Sequence, residues 1–253
     1  MSGQKSPALE AKDLTKRFGR VEALKGVSLN VAPGEMLGVL GDNGAGKSTL
    51  MKILSGFQTP TTGEMFIEGK KVHLQSVNQA RGYGIECVYQ DLALINTLSV
   101  YQNMFLNREI LHSKLPWLNQ KEMRRRAAIA LDDIGVSVPS LDEEVGMLSG
   151  GQRQAIAIAR AVADKVRVLL LDEPLAAMGA REQEMIISLL ERLKARGDVA
   201  LIMIAHNYAQ TLDVADKIML IQHGTCTFES QSADTNVMEL LDVVKREHAK
   251  FHA

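Results

Sequence analysis

Residues 41 to 49 read Gly-Asp-Asn-Gly-Ala-Gly-Lys-Ser-Thr, a run that leaves few folds open. It fits G-x-x-x-x-G-K-[ST], with the apolar run Met36–Leu40 before it and an apolar helical pattern after it. Across Gly41, Asn43, Gly44, Ala45 and Gly46 the backbone can turn its N–H groups inward as an anion nest. A helix starting near Lys47 then adds its positive end. Lys47 would reach the β- and γ-phosphates of a nucleotide, the Ser48 hydroxyl would bind Mg²⁺, and Thr49 completes the motif. A strand entering such a loop and a helix leaving it imply an α/β architecture.

The second half of a nucleotide site is an acidic residue ending a buried strand. Val168–Leu171 is continuously apolar, as in a parallel strand covered on both faces, and Asp172-Glu173 follow it directly. Ligands of parallel sheets bind at the carboxyl ends of strands, where both acids must emerge. Asp172 suits the Mg²⁺ shell, and Glu173 could polarise an attacking water.

The rest of the chain falls into three blocks. From Ala8 to about Tyr89 short strands are punctuated by glycines: Val27–Val31 and Met36–Leu40 around the Pro33-Gly34 turn, then Glu64–Glu68 closed by Gly69. The block from about Asp91 to Lys165 looks helical, with Met123, Ala127, Ala130, Leu131 and Ile134 at helical spacing. Tyr83–Tyr89 before it is a strand candidate. In the last block Arg181–Arg196 carries Ile186, Leu189, Leu190 and Leu193 on one stripe, with Gly197 where a C-cap belongs. Val199–Ala205 is a second buried strand, and Lys217–Gln222 with Thr225–Glu229 flank a His223-Gly224 turn.

Composition narrows the function. With 29 Lys+Arg against 30 Asp+Glu the net charge is −1, which disfavours a globally basic nucleic-acid binder. Two cysteines cannot build a disulfide framework or a Cys-rich zinc site. The opening MSGQKSPALEAKD lacks a leader's apolar core, and runs such as Val199–Ala205 fall far short of the roughly 20 residues that span a bilayer. These features predict a soluble, cytosolic protein. Leu148-Ser149-Gly150-Gly151-Gln152 heads a helix with Ala155, Ile158, Ala159 and Val162 on its apolar face. Ser149 and Gln152 have capping-box spacing, and two glycines at a helix start suggest close backbone approach.

With these motifs in order, the sequence resembles the nucleotide-binding subunit of an ATP-binding cassette (ABC) transporter over nearly its whole length. The resemblance implies a P-loop NTPase core of the α/β class with an antiparallel β part and an inserted α-helical subdomain. The core would take residues 1–90 and 166–253 and the subdomain residues 91–165. Ser149, Gly150, Gly151 and Gln152 match the family's signature motif, which contacts the γ-phosphate held by the other subunit of a head-to-tail, ATP-dependent homodimer. Gln90 matches the glutamine loop that senses Mg²⁺ and water. His206 matches the switch histidine at the γ-phosphate, and Phe18 the aromatic that stacks on adenine. Catalysis would therefore involve Glu173, His206 and Lys47. The metal would sit with Ser48, Gln90 and Asp172.

One position departs from the family pattern. Gly179 stands where an Asp usually reaches across the dimer. The wording around residues 41–49, 88–94 and 176–179 is similar to bacterial monosaccharide importers of the ribose/fructose type. That likeness implies ATP-driven sugar import through a separate integral membrane permease, with the chain held at the cytoplasmic face of the membrane. An external sugar-binding protein would be an indirect partner, and no nucleic-acid partner is expected. The segment Asp91–Trp117 would dock on the permease, with Leu92, Leu94, Tyr101, Phe105 and Trp117 as apolar contacts. A soluble ABC ATPase acting on nucleic acid or ribosomes, or a non-hydrolysing interaction subunit, are the rival readings.

Overall fold

In the computed structural model, which describes residues 6–113 and 115–251, the continuous apolar runs become central strands and the period-3.6 stripes become helices. Strands β1 (Leu9–Phe18), β2 (Val21–Val31) and β3 (Met36–Leu40) precede helix α1 (Lys47–Leu54). Then come β4 (Thr62–Ile67), β5 (Lys70–Val72), α2 (Val77–Gly82), β6 (Ile85–Val88) and α3 (Val100–Met104). A ribbon of β7 (Leu111–His112) and β8 (Leu115–Leu118) leads into α4 (Gln120–Asp133) and α5 (Gly150–Val162). The chain continues through β9 (Val168–Asp172), α6 (Ala180–Arg196), β10 (Ala200–Ile204), α7 (Tyr208–Val214), β11 (Lys217–Gln222), β12 (Thr225–Gln231) and α8 (Val237–Phe251). The opening residues 1–5, part of the stretch read for a leader, lie outside the described residues.

Two sheets organise these elements. One is antiparallel, in the order β2-β1-β4-β5. The other runs β12-β11-β3-β10-β9-β6, and only β12 pairs antiparallel. Its central strands are buried on both faces, so alternate residues feed two cores. Val168, Leu170 and Ile202 pack toward α1 and the antiparallel sheet. Leu169, Leu171 and Met203 pack toward α5 and α6, in a cluster that also holds Met123, Ala127 and Leu131 of α4.

Helix ends follow local chemistry. Gly197 closes α6 in the left-handed region at φ 71°, as its place after the stripe predicts. The His223-Gly224 turn has φ 50° and 82°, the two positive values of a type I′ hairpin turn. The middle block is less uniformly helical than its sequence pattern suggests, since β7 and β8 interrupt it. Strand β9 begins at Val168, where the apolar run does, and ends on Asp172.

Candidate active site

Strand register assembles the site. Ile204 of β10 sits level with Val39 of β3 on one side and Asp172 of β9 on the other. Three neighbouring strands therefore end together. The loop from Gly41, the pair Asp172-Glu173 and His206 all leave the sheet at that edge.

The loop is shaped by crowding as much as by flexibility. Gly46 has φ 112°, and a Cβ there would lie 2.7 Å from the Ala23 carbonyl oxygen and 2.9 Å from Leu24 Cδ2. As N-cap of α1 it supplies no side-chain cap, so the first N–H groups of the helix stay available to an anion. Lys47 is only 6% exposed. Its ammonium donates to the carbonyls of Gly41 and Asp42. Burial pushes its pKa down, while Glu173, Asp42 and Asp172 push it back up. Around the loop lies a cavity of about 160 Å³ lined by Ala23, Asn43, Lys47, Ser48, Thr49 and Glu173, among others.

Asp172 is half-buried and adjoins a second acid. Burial and the neighbouring Glu173 raise its pKa, opposed by Lys47 and Lys52. A half-buried carboxylate and an exposed Ser48 hydroxyl are the kind of donors that suit Mg²⁺, which takes one or two protein ligands and completes its shell with phosphate oxygens and water.

Glu173 adopts φ 50°, a conformation uncommon outside glycine and typical of strained functional positions. Its N–H donates to the Ile204 carbonyl at 2.9 Å, which fixes the turn against β10. Its Oε1 lies 3.2 Å from His206 Nδ1. Both residues also border a cavity of about 530 Å³ formed with Gln183, Tyr208, Gln210 and Leu241.

The other sequence-predicted residues are placed apart. Gln90 is exposed just beyond β6, the outer neighbour of β9. Phe18 is 46% exposed at the β1–β2 turn with Lys16 Nζ 5.3 Å from its ring centroid, and it does not line the loop cavity. Ser149, Gly150, Gly151 and Gln152 open α5 and do not line that cavity, with the capping box formed: Ser149 N–H to Gln152 Oε1 at 3.0 Å and Gln152 N–H to Ser149 Oγ at 3.3 Å. Tyr101 is not a surface contact. It is 4% exposed, with Arg124 stacked 4.2 Å from its ring. Trp117, by contrast, is 68% exposed. Sequence reasoning missed Ala23, which has no motif to flag it, and Glu182. The latter stands three residues after Gly179, at the spacing that marks the fourth position of a capping box.

A family model described as ABC transporter matches residues 24–176. The chain is 44% identical over 239 residues to the xylose/arabinose import ATP-binding protein of Sulfolobus acidocaldarius, covering 94% of each. It is 42% identical over 224 residues to the fructose import ATP-binding protein of Rhizobium meliloti, covering 86% of each. Among solved structures it is similar to an ATP-binding cassette of an ABC transporter in its ADP conformation, with a TM-score of 0.83, 26% identity, and 94% of this chain and 97% of that one covered. It is also similar to a dimeric post-hydrolysis cassette bound to ADP and Pi, with a TM-score of 0.74, 27% identity, and 88% and 98% covered.

Proposed function

This chain belongs to the ABC transporter family and is an ATPase of that family, and from this premise we propose that it powers uptake of a monosaccharide through a partner permease. The sugar reading rests on the two import proteins above, whose names specify a pentose pair and a hexose. One observation carries the catalytic part: β3, β10 and β9 deliver the phosphate loop, His206 and Asp172-Glu173 to one edge of the sheet.

In this reading the nest of residues 41–46 and the first turn of α1 hold the phosphates, with Lys47 on the β- and γ-phosphates. Ser48 and Asp172 would hold Mg²⁺, with Gln90, just beyond the neighbouring strand β6, as a further ligand. The metal, when bound, would supply neutralisation of phosphate charge. Glu173 orients the attacking water and accepts its proton. His206, already on Glu173 Oε1, steadies that carboxylate and faces the γ-phosphate. Phe18 stacks on adenine at the rim.

Ser149 and its glycines do not line the loop cavity, which supports completion of the site by a second chain packed head to tail. The division into a core (residues 1–90 and 166–253) and a helical subdomain (91–165) belongs to the same proposal, as does docking on the permease. Docking would use Asp91–Trp117, whose first part is pinned by Arg160 to the carbonyls of Leu92 and Ala93. Among the described residues no helix is long and apolar enough to cross a membrane, so attachment at the cytoplasmic face would run through that permease.

Uptake of radiolabelled pentoses and hexoses in a deletion strain tests the whole reading. Loss of uptake of one sugar, restored by the wild-type chain but not by Lys47→Ala, is expected. Unchanged uptake of every sugar, with ATPase activity intact in the purified chain, would favour a soluble ABC ATPase instead.

A further inference from the structure

The first turn of α5, proposed above to receive a partner's γ-phosphate, already faces an anion of its own chain. Gly151 N–H donates to Glu182 Oε1 at 3.1 Å, and Glu182 Oε2 accepts from Gly179 N–H at 3.3 Å. The two glycines of the motif do different jobs. A Cβ on Gly151 would lie 2.8 Å from Glu182 Cβ and 3.0 Å from Met185 Cε, so this glycine serves close packing within the chain. A Cβ on Gly150 would meet only the two Glu182 carboxylate oxygens, each at 3.9 Å. The carboxylate thus lies over the end of the helix, beside the direction Gly150 leaves open.

Glu182 is ionised at neutral pH. The N–H of Gly151, the Ser149 hydroxyl and the N–H of Gly179 hold its carboxyl below the usual carboxylate range, and Arg153 adds to the effect. Ser149 and Gly151 are donors of the kind a phosphate would take at a helix N-terminus. Two anions cannot share one set of donors without repulsion, which at a separation of about 4 Å costs on the order of a kilocalorie even in water.

We propose that Glu182 is a resident stand-in for the γ-phosphate: in the lone chain its carboxylate satisfies the signature helix, and it opposes closure until an ATP-bound partner takes those donors from it. This inference rests on the head-to-tail reading of Ser149–Gln152. Gly179 fits the role, because a Cβ there would meet nothing within 4 Å and the loop holding the other carboxylate oxygen is uncrowded.

The test uses the Glu173→Gln chain, which the site reading expects to dimerise with ATP and Mg²⁺. Glu182→Gln and Glu182→Asp are added to it separately. Sedimentation velocity over a protein dilution series gives the dimer dissociation constant, and a fluorescent ATP analogue gives nucleotide affinity of the lone chain. Glu182→Gln keeps length but loses the charge and one of two acceptors. It should tighten the dimer about thirtyfold, the equivalent of two relieved charge contacts, one in each composite site. Nucleotide affinity should stay within about twofold, since the phosphate loop is untouched. Glu182→Asp keeps the charge but falls one methylene short of serving both N–H groups, and should tighten the dimer by less. It decides the matter if the glutamine variant loses nucleotide binding through misfolding. Unchanged or weakened dimers in both variants overturn the proposal and leave Glu182 a helix cap. No dimer in the Glu173→Gln parent overturns the site reading, and this inference with it.

Discussion

At the scale of single residues, Glu173 combines three features that a solvated acid at a strand end would lack: a left-handed backbone, a tie to Ile204 and a partner in His206. Replacing it with Gln keeps the shape and the contact with His206 but removes the basicity. Phosphate release should slow by about 10²-fold or more, the usual scale of general-base assistance, while a fluorescent ATP analogue still binds. Normal turnover would move the base role to His206. Asp172 makes a different prediction, because its folded-state pKa is raised by burial and by Glu173. The folded chain then holds that proton more tightly than the unfolded chain does. The charged form costs stability once pH exceeds the folded pKa, and the cost disappears as pH falls below the unfolded value. Asp172→Asn should therefore raise Tm at pH 7 without nucleotide, while losing Mg²⁺-dependent nucleotide binding. A lower Tm would mean that Asp172 is stabilised by partners its surroundings do not display. These two acids were legible in the sequence, because four apolar residues followed by two carboxylates have one reading beside a phosphate loop. The φ of Glu173 and the reach of Glu182 to Gly151 were not, since both depend on the packing of β10 and α5 around them.

At the scale of elements, legibility followed burial. Strands covered on both faces and helices with one apolar stripe declare themselves: β3 and β11 have the bounds their apolar runs predict, and α6 lies within a residue of its own. The region after Gln90 was harder, because its contacts are made by polar groups. Asn103 is fully buried, accepting from Ile95 N–H and donating to the carbonyls of Ile95, Leu98 and Ser99. No periodicity announces such a knot, nor does it show that Tyr101 turns inward beneath Arg124. The ribbon β7–β8 is short and exposed, so it carries no alternation to read. Gly38 illustrates how one element positions another. It lies in the middle of β3, and a Cβ there would come within 2.4 Å of Thr211 Cγ2 and 3.2 Å of Ala215 Cβ, at the packing face of α7. The absence of a side chain lets α7, which begins two residues after His206, rest on the strand that enters the phosphate loop. Gly38→Ala should destabilise the chain by about 1–3 kcal/mol through overpacking. Calorimetry should show this as a drop in Tm of several degrees, about 2–4 °C per kcal/mol at this size. An unchanged Tm would show that α7 yields freely and does not fix His206.

At the scale of the whole molecule, the proposed site is divided: one chain holds the phosphates, and its own signature helix start does not line the loop cavity and is satisfied by Glu182. A head-to-tail dimer gives each composite site one loop and one signature from different chains. Complementation between two inactive chains tests that division. Lys47→Ala breaks the loop and spares the signature; Ser149→Arg removes the capping hydroxyl, puts a bulky cation at the helix start and spares the loop. Either chain alone contains no intact composite site and should be inactive. In a mixed dimer, one site pairs both damaged parts, while the other pairs the Ser149→Arg chain's intact loop with the Lys47→Ala chain's intact signature. With equal amounts and random pairing, half the dimers are mixed, and about a quarter of all sites are intact. Phosphate release should recover toward that fraction of wild-type activity. The recovery should grow with protein concentration as dimers of about twice 27.7 kDa form with ATP and Mg²⁺. Wild-type turnover by the Ser149→Arg chain on its own would show that the site is complete within one chain. Ser149 would then be only the cap that its bond to the Gln152 N–H makes it.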